Sequence, residues 1–545
     1  MDKNTVWAFI LILAVFWLSS EFLWKPAASK AEAQAAEERA ATEQIVEPVT
    51  ETPFAQETTP EVETIYDVEL EEGQQDIAIN ETIILSNDKL QISFTNRGAQ
   101  INGIILHDYV LPDKIVQVDL LRENAELFGM ELTNINGATV MSNNMLFEWE
   151  IFENHVTFIS NSSFGRVEKK FTIKEDYQLE LDVTIESSLE RFDYVLQMED
   201  GIADTENYLK RKNQNYQTIV QVDNKINRAN LGKLKKEQTL SGSVDWAAIR
   251  TKFFLIGVIK DELSDWNKTY AYNAEESPAL RIYGSSSRPR MQANYRIYAG
   301  PVILENLEAL GSGFGVTFYA GNGIFFGQGL IKPVSRFFDW IFIQFHKVIP
   351  NWGLCLIIFS IMIKTILYPL THKSFESNQK LQKVQPQVAV MREKFKSDPQ
   401  KMNAEMQRIY KENGVSPFGG CMPMLLQMPI FFALYPVIRY SIDLRQAQFL
   451  WLHDLSEPDP YLILPIVMGV FMFLQQALMQ PKKDALAKMS EQQQAQMQSQ
   501  KMMMYIMPVM MFFLFKSFPS GLVLYWTLFN IMSTIQQRII RKKFS

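Results

Sequence analysis

The sequence predicts a polytopic α-helical membrane protein of six spans that carries a large extracytoplasmic antiparallel β-sandwich domain. Three observations predict it. Apolar runs long enough to cross a hydrocarbon core of about 30 Å crowd the chain after residue 350. Between residues 81 and 320 apolar residues instead alternate with period two. Lys and Arg gather in the short connections on one side of the apolar runs. Whole-chain averages, 47% hydrophobic and a net charge of −8 over 545 residues, hide this division between a polar first half and an apolar second half.

Taken in order, residues 5–23 are apolar except for Ser19, Ser20 and Glu21. The bulky Phe22, Leu23 and Trp24 stand where a signal-peptide cleavage site needs small residues, so residues 1–24 read as an uncleaved membrane anchor rather than a removed signal. Residues 25–80 are acidic, rich in Ala, Glu, Thr and Pro, and lack hydrophobic periodicity. Such a segment buries too little surface to offset its ordering entropy and reads as a disordered linker. From 81 to 330 the alternating sets Leu90, Ile92, Phe94, then Leu179, Leu181, Val183, Ile185, then Tyr295, Ile297 predict strands separated by Gly, Asn and Asp clusters. One helix is expected at 301–310, with Pro301 in its first turn and Gly311 beyond its end. Residues 331–350 place Phe337, Phe338, Ile341, Phe342 and Phe345 opposite Ser335, Asp339, Gln344 and His346, an amphipathic helix for the membrane interface or else a core helix.

Five apolar segments follow, at 351–370, 421–438, 461–478, 503–518 and 522–535, the last two joined by a tight turn at Pro519, Ser520 and Gly521. The basic loop after the first of these and the basic tail Arg538, Arg541, Lys542, Lys543 belong in the cytoplasm. Counting the anchor, both termini then lie inside, and the β domain lies outside. Within the basic loop Leu381, Val384, Val388, Met391 and Phe395 form a coiled-coil-like seam, with a kink or helix restart expected at Pro386. A second helix is expected from Pro399 to 413, with Asp398 as N-cap, Gly414 after its end and a stripe of Met402, Met406 and Ile409. The pair predicts a hairpin (372–420) carrying Lys380, Lys383, Arg392, Lys394 and Lys396. Those charges either recruit a partner or merely obey the positive-inside rule.

Lys364 sits inside the second span, where a charge costs roughly 2.5 to 3.5 kcal/mol on insertion scales. Either it lines a wet cavity with Ser360 one turn earlier, or it snorkels toward the cytoplasmic end near His372. Gln427 and three prolines (Pro423, Pro429, Pro436) interrupt the third span, and Gln475 and Gln476 the fourth. Methionines cluster at 497–511, as packing or as an adaptable apolar surface. Cys355 and Cys421 lie in or beside apolar runs and the five histidines are dispersed, so neither disulfide nor metal site is expected.

The stretches Asn351-Trp-Gly353, Tyr368-Pro-Leu-Thr371, Asn413-Gly-Val-Ser-Pro-Phe-Gly-Gly-Cys-Met-Pro423, Gln427-Met-Pro-Ile-Phe431, Leu444-Arg-Gln-Ala447, His453-Asp-Leu455 and Phe518-Pro-Ser-Gly-Leu-Val-Leu-Tyr525 resemble the YidC family, in its long form from bacteria with two membranes. The resemblance covers about residues 317–537, and the anchor and β domain suit the long form. It implies a membrane protein insertase and chaperone of the bacterial inner membrane, with the β domain in the periplasm. It implies a groove open to cytoplasm and lipid, lined by Lys364, Ser360, Gln427, Tyr525 and Trp526, and an apolar slide formed by Met424, Met428, Phe431, Met507 and Met511. Family members from bacteria usually carry Arg where this chain has Lys364, and a second Tyr where it has Trp526. The implied partners are nascent membrane proteins, the Sec translocon, the ribosome and signal-recognition targeting machinery, and the lipid bilayer. Neither cofactor, metal nor small-molecule substrate is implied, and no enzymatic activity.

Two other classes fit less well. A secondary transporter lacks here an inverted repeat and a second embedded acid to relay protons. A sugar-handling envelope enzyme lacks paired carboxylates in a clear context. If 25–80 is a linker, deleting residues 31–59 is expected to leave substrate insertion intact in a protease-protection assay, and a large loss would reveal a function in that segment.

Overall fold

The computed structural model describes residues 81–318, 332–395, 398–415, 422–480 and 504–544. The expected anchor and linker, Lys396, Met497, Met502 and Met503 lie outside the described residues, as do the side chains of Arg392 and Met424.

Two antiparallel sheets, of ten and nine strands, enclose one continuous apolar core. The alternating sets read from the sequence are its walls. Leu179, Leu181, Val183 and Ile185 are the buried positions of the strand Gln178–Ser187. That strand pairs with Arg290–Pro301 in a register that sets Leu179 opposite Ile297 and Leu181 opposite Tyr295. Leu90, Ile92 and Phe94 line the other sheet, and Phe94 meets Phe171 across the core at a centroid distance of 4.9 Å. Side chains of this size, fully buried, each contribute roughly 1.5–3 kcal/mol, which is why the period-two pattern dictates the register.

The core also holds one lysine. The Nζ of Lys169 donates to the carbonyls of Gly98 (2.9 Å), Ala99 (3.2 Å) and Phe128 (3.2 Å). All three carbonyl-bearing residues have left-handed backbone, with φ of 68°, 48° and 61°. The expected helix at 301–310 is shorter. Pro301 ends its strand, paired with Phe254 and accepting from the Tyr298 hydroxyl (2.6 Å), so α1 occupies only Leu304–Ala309. Gly311 follows it with φ +70°, as its position predicted.

α2 (Lys332–Val348) buries Phe338, Ile341 and Phe342, with Phe338 and Phe342 against Phe359 of α3. Two assignments of its faces change. Ser335 is buried, because its hydroxyl donates to the Ala433 carbonyl (2.8 Å), while Phe337 is exposed and stacks on Trp340. α3 (Trp352–Lys394) starts at Asn351, whose side chain caps Leu354 N (3.0 Å), and stays helical for 43 residues, about 64 Å at 1.5 Å per residue. The restart expected at Pro386 is absent from its backbone, so the apolar segment and the first arm of the hairpin belong to one continuous helix. α4 (Pro399–Glu412) forms the second arm with Asp398 as N-cap, and its Met406, Ile409 and Tyr410 pack on Val384, Val388 and Met391.

α5 (Met422–Tyr440), α6 (Ile463–Leu478), α7 (Met504–Phe515) and α8 (Ser520–Phe544) are the remaining described helices of the bundle. α8 runs well past the expected end at 535. Their contacts fix directions. Lys364 and Thr371 of α3 meet Ser533 and Gln536 of α8, so those two run parallel. Leu464, Phe471 and Leu478 of α6 approach Thr527, Thr534 and Arg541 of α8, again parallel and at a constant offset of 63 residues. Gln427 and Ile438 of α5 meet Tyr525 and Gly521 of α8 in reverse order, so α5 is antiparallel to them. Among the described residues Trp352–Val384 is the stretch long and apolar enough to cross a membrane, and α6 and α7 are shorter apolar helices.

Burial pushes the Lys169 ammonium down to about 7, against three acceptors that favour its charged form. The unfolded chain keeps that proton up to about 10.5, so stability is expected to rise with pH between 7 and 10.5, by at most about 1.4 kcal/mol per pH unit. Lys169→Met is expected to abolish this slope in thermal melts of the whole chain. It also orphans three buried carbonyls, at a cost of about 2–4 kcal/mol near pH 7.

Candidate functional site

Lys364 is 5% exposed and lies between α3 and α8. Its Nζ donates to the Ser533 hydroxyl at 2.7 Å and stands 4.4 Å from the Phe529 ring centroid and 5.9 Å from that of Phe375. Phe375 lies eleven residues further along the same helix, about 16 Å at helical rise, so the stem leans toward the α3 C-terminus while remaining inside the bundle. No ion pair of Lys364 is found among the described residues. A neutral hydroxyl and two aromatic faces surround the charge.

Gln427 of α5 and Tyr525 of α8 form a second buried polar contact, with Gln427 Nε2 donating to the tyrosine oxygen at 2.7 Å. Gln427 Oε1 is buried without a partner. Ser360 does not join them, since its hydroxyl donates to Leu356 O (2.6 Å) of its own helix. Trp526 stands in an aromatic cluster instead, 5.2 Å from Phe431 and 5.4 Å from Phe515. Met507 and Met511 are half-buried against the same core, whereas Ile506, Val509, Met510, Phe513 and Leu514 form the exposed face of α7. Met428 is half-buried. In the hairpin Lys380 pairs with Glu376 (3.1 Å), and Lys383 and Lys394 are exposed.

The sequence reading did not single out the polar face of α8. Thr527, Asn530, Ser533, Thr534, Gln536 and Gln537 are all buried, and Ser533 supplies the hydroxyl that receives Lys364. Their spacing of three, three, one, two and one placed them on one helical side, a signal available in the sequence but masked by treating 536 onward as tail. Thr527 and Thr534 bond their own helix at 2.7 and 2.8 Å, with α6 carbonyls as longer alternatives at 3.5 and 3.3 Å. Small hydroxyl side chains of this kind let helices approach closely in an apolar medium.

A second polar centre ties the sandwich to the loop between α5 and α6. Arg445 Nε lies 2.6 Å from Glu206 Oε1, both side chains nearly fully buried, and Arg445 Nη2 donates to Thr205 O (3.0 Å). Gln446 Nε2 donates to Val110 O (2.9 Å). Glu206, Asp454 and Glu457 bring carboxylate oxygens within 4.8 Å of one another. Burial raises the Glu206 and Glu457 carboxyls, the latter to about 7, while Arg445 and Lys252 supply opposing charge.

A β-sandwich bonded to a helical bundle with a charged interior defines a class, that of bundle membrane proteins with an extramembrane domain. Two family models divide this chain between them, the YidC periplasmic domain over residues 82–332 and the 60Kd inner membrane protein over 344–545. Membrane protein insertase YidC of Geotalea uraniireducens is 31% identical over 491 residues, covering 84% of this chain and 87% of the relative. That of Francisella philomiragia is 42% identical over 309 residues, covering 56% of this chain and 52% of the relative. A crystal structure titled as an active YidC insertase with its first transmembrane domain resolved aligns over 84% of this chain and 92% of its own, at 19% identity and a TM-score of 0.35. The chain belongs to the YidC family of inner-membrane proteins with a periplasmic domain.

The Gln427–Tyr525 contact has a testable energy. Tyr525→Phe strands a buried amide and is expected to lower stability in detergent by about 1–3 kcal/mol, and adding Gln427→Leu is expected to recover most of that loss in a thermal melt.

Proposed function

We propose that this chain inserts newly made inner-membrane proteins into the bilayer and assists their folding, as the names of its relatives describe for them. The observation that carries the mechanism is Lys364, a cation held inside an apolar bundle by one neutral hydroxyl. An ammonium has three donors, and Ser533 takes one of them. The remaining donors and the unpartnered Gln427 Oε1 suit transient bonds to the polar or acidic segment of a substrate that must cross. In this reading Lys364, Gln427, Tyr525, Trp526 and Ser360 line or support a hydrophilic groove open to cytoplasm and lipid. Met424, Met428, Phe431, Met507 and Met511 form the slide along which the substrate helix passes into lipid. Transfer of that helix into hydrocarbon, with the membrane potential acting on acidic residues, supplies the driving force without bond chemistry.

The topology proposed is six spans with both termini in the cytoplasm. The parallel run of α3, α6 and α8 against α5 supports it, because alternate spans must share a direction. The hairpin α3–α4, with Lys380, Lys383, Arg392, Lys394 and Lys396, then projects into the cytoplasm to meet the ribosome, the targeting machinery or the nascent chain, alone or beside the Sec translocon.

The test is insertion of a small two-span substrate into liposomes containing only this protein, scored by protease protection. Lys364→Arg is expected to retain insertion, Lys364→Ala to weaken it and Lys364→Glu to impair it most. Equal protection by all four proteins would remove the charge from the mechanism, and no protection by any would remove autonomous insertion.

A further inference from the structure

Where the sandwich meets the ends of α5 and of the α7–α8 turn lies a cleft open to solvent, about 270 Å³ with the solvent space at its mouth included. Its wall carries three cations and no carboxylate. Arg211 comes from the sandwich, Lys252 from the turn between two of its strands, and Arg439 from the last turn of α5. Lys252 Nζ donates to Ser456 O (2.9 Å) and Oγ (3.1 Å), with the nearby carboxylates of Asp454, Glu206 and Glu457 balancing its charge. The two arginines have no carboxylate beside them; Tyr435 hydrogen-bonds both, and Tyr440 hydrogen-bonds Arg439. Arg439, 4% exposed, donates from Nη2 to Asn215 Oδ1 (2.8 Å), and its buried Nε has no acceptor. Arg211 donates to Ser517 Oγ (3.0 Å) and lies 5.3 Å from the Phe518 ring. Neither forms an ion pair among the described residues, and the one fully buried carboxylate pair close by, Glu206 with Arg445, is already complete.

A guanidinium taken out of water is stable when its fork meets an oxyanion, and a phosphate has enough oxygens to meet two guanidiniums facing one cleft at once. We propose that this cleft binds a phosphate-class oxyanion, presented by a phospholipid headgroup of the outer leaflet. The depth argues for the lipid source. Arg439 closes one span and Ser517 and Pro519 turn between two others, which in the orientation proposed above is headgroup level, with the Phe518 and Tyr435 rings beside the two arginines. Only the source of the anion rests on that orientation, since the cation pair is a property of the fold. Bound there, a headgroup would join the sandwich to the bundle through Asn215, Arg439 and Arg211 at once.

The experiment uses the whole chain, delipidated in detergent and without substrate, so its failure leaves the insertase reading untouched. Phosphatidylglycerol and, separately, inorganic phosphate are titrated while native mass spectrometry counts retained lipid and a thermal melt reads stabilisation. Wild type is expected to retain one phosphatidylglycerol that Arg211→Gln holds roughly tenfold more weakly. Stabilisation by the lipid but not by phosphate supports a headgroup site, and stabilisation by phosphate with displacement of the lipid supports the oxyanion site with a second source. Equal lipid retention and equal phosphate response in wild type and Arg211→Gln overturn the proposal. Arg439→Gln serves as a second variant where it folds, and Arg211, being only half-buried, keeps the test decisive where it does not.

Discussion

A charge inside an apolar bundle has to be met by something, and the arrangement of the helices around Lys364 follows from that requirement. The ammonium can be buried only where a hydroxyl and aromatic faces approach it, which brings Ser533 and Phe529 of α8 against α3. Once that face of α8 turns inward, Thr527, Asn530, Thr534 and Gln536 turn inward with it, each satisfied by its own helix, by α6 or by Thr371. The helix therefore continues to Phe544 instead of stopping where hydrophobicity ends. A neutral acceptor holds the lysine without cancelling its charge. That leaves the charge uncompensated, whereas a carboxylate in the place of Ser533 would have neutralised it.

The same rule governs the junction between sandwich and bundle. Arg445 and Glu206 are buried together, and their ion pair is fixed by further bonds to Thr205 and by the Phe254 ring. Breaking one partner of such a pair is more costly than the pair is favourable, so it acts as a register mark for docking. Gln446, which bonds Val110, and Lys252, which bonds Ser456, extend the mark over both sides of the junction. Close approach matters as well. A Cβ on Gly353 would lie 2.1 Å from the Phe449 ring, which explains a glycine in the first turn of a long helix.

The sandwich was legible because strand alternation is local and its energetic consequence large. Leu179 to Ile185 and Leu90 to Phe94 fill the core as their spacing required. The hairpin was legible because Asp398, Pro399 and Gly414 are each specific to a helix end. The start of α1 was misjudged because a tertiary strand pairing at Pro301 outweighed a local preference, and Ser335 because a carbonyl on another helix satisfied its hydroxyl. Among the site residues, Lys364, Gln427 and Tyr525 do meet α8 or α5, while Ser360 spends its hydroxyl on its own backbone.

The motif Leu444-Arg-Gln-Ala447 shows the boundary most clearly. It is one of the stretches that together carry the family resemblance, yet nothing in its spacing says that Arg445 and Gln446 grip a domain more than two hundred residues earlier in the chain. By itself the sequence determined strand periodicity, the ends of the second hairpin helix, the clustering of Lys and Arg between apolar runs and the presence of a lone charge in an apolar run, because each depends on neighbours within a few residues. Tertiary structure decided which hydroxyl receives Lys364, which way α8 faces and where two arginines share a cleft wall without a carboxylate. Those depend on distances between groups that only folding brings within hydrogen-bond reach.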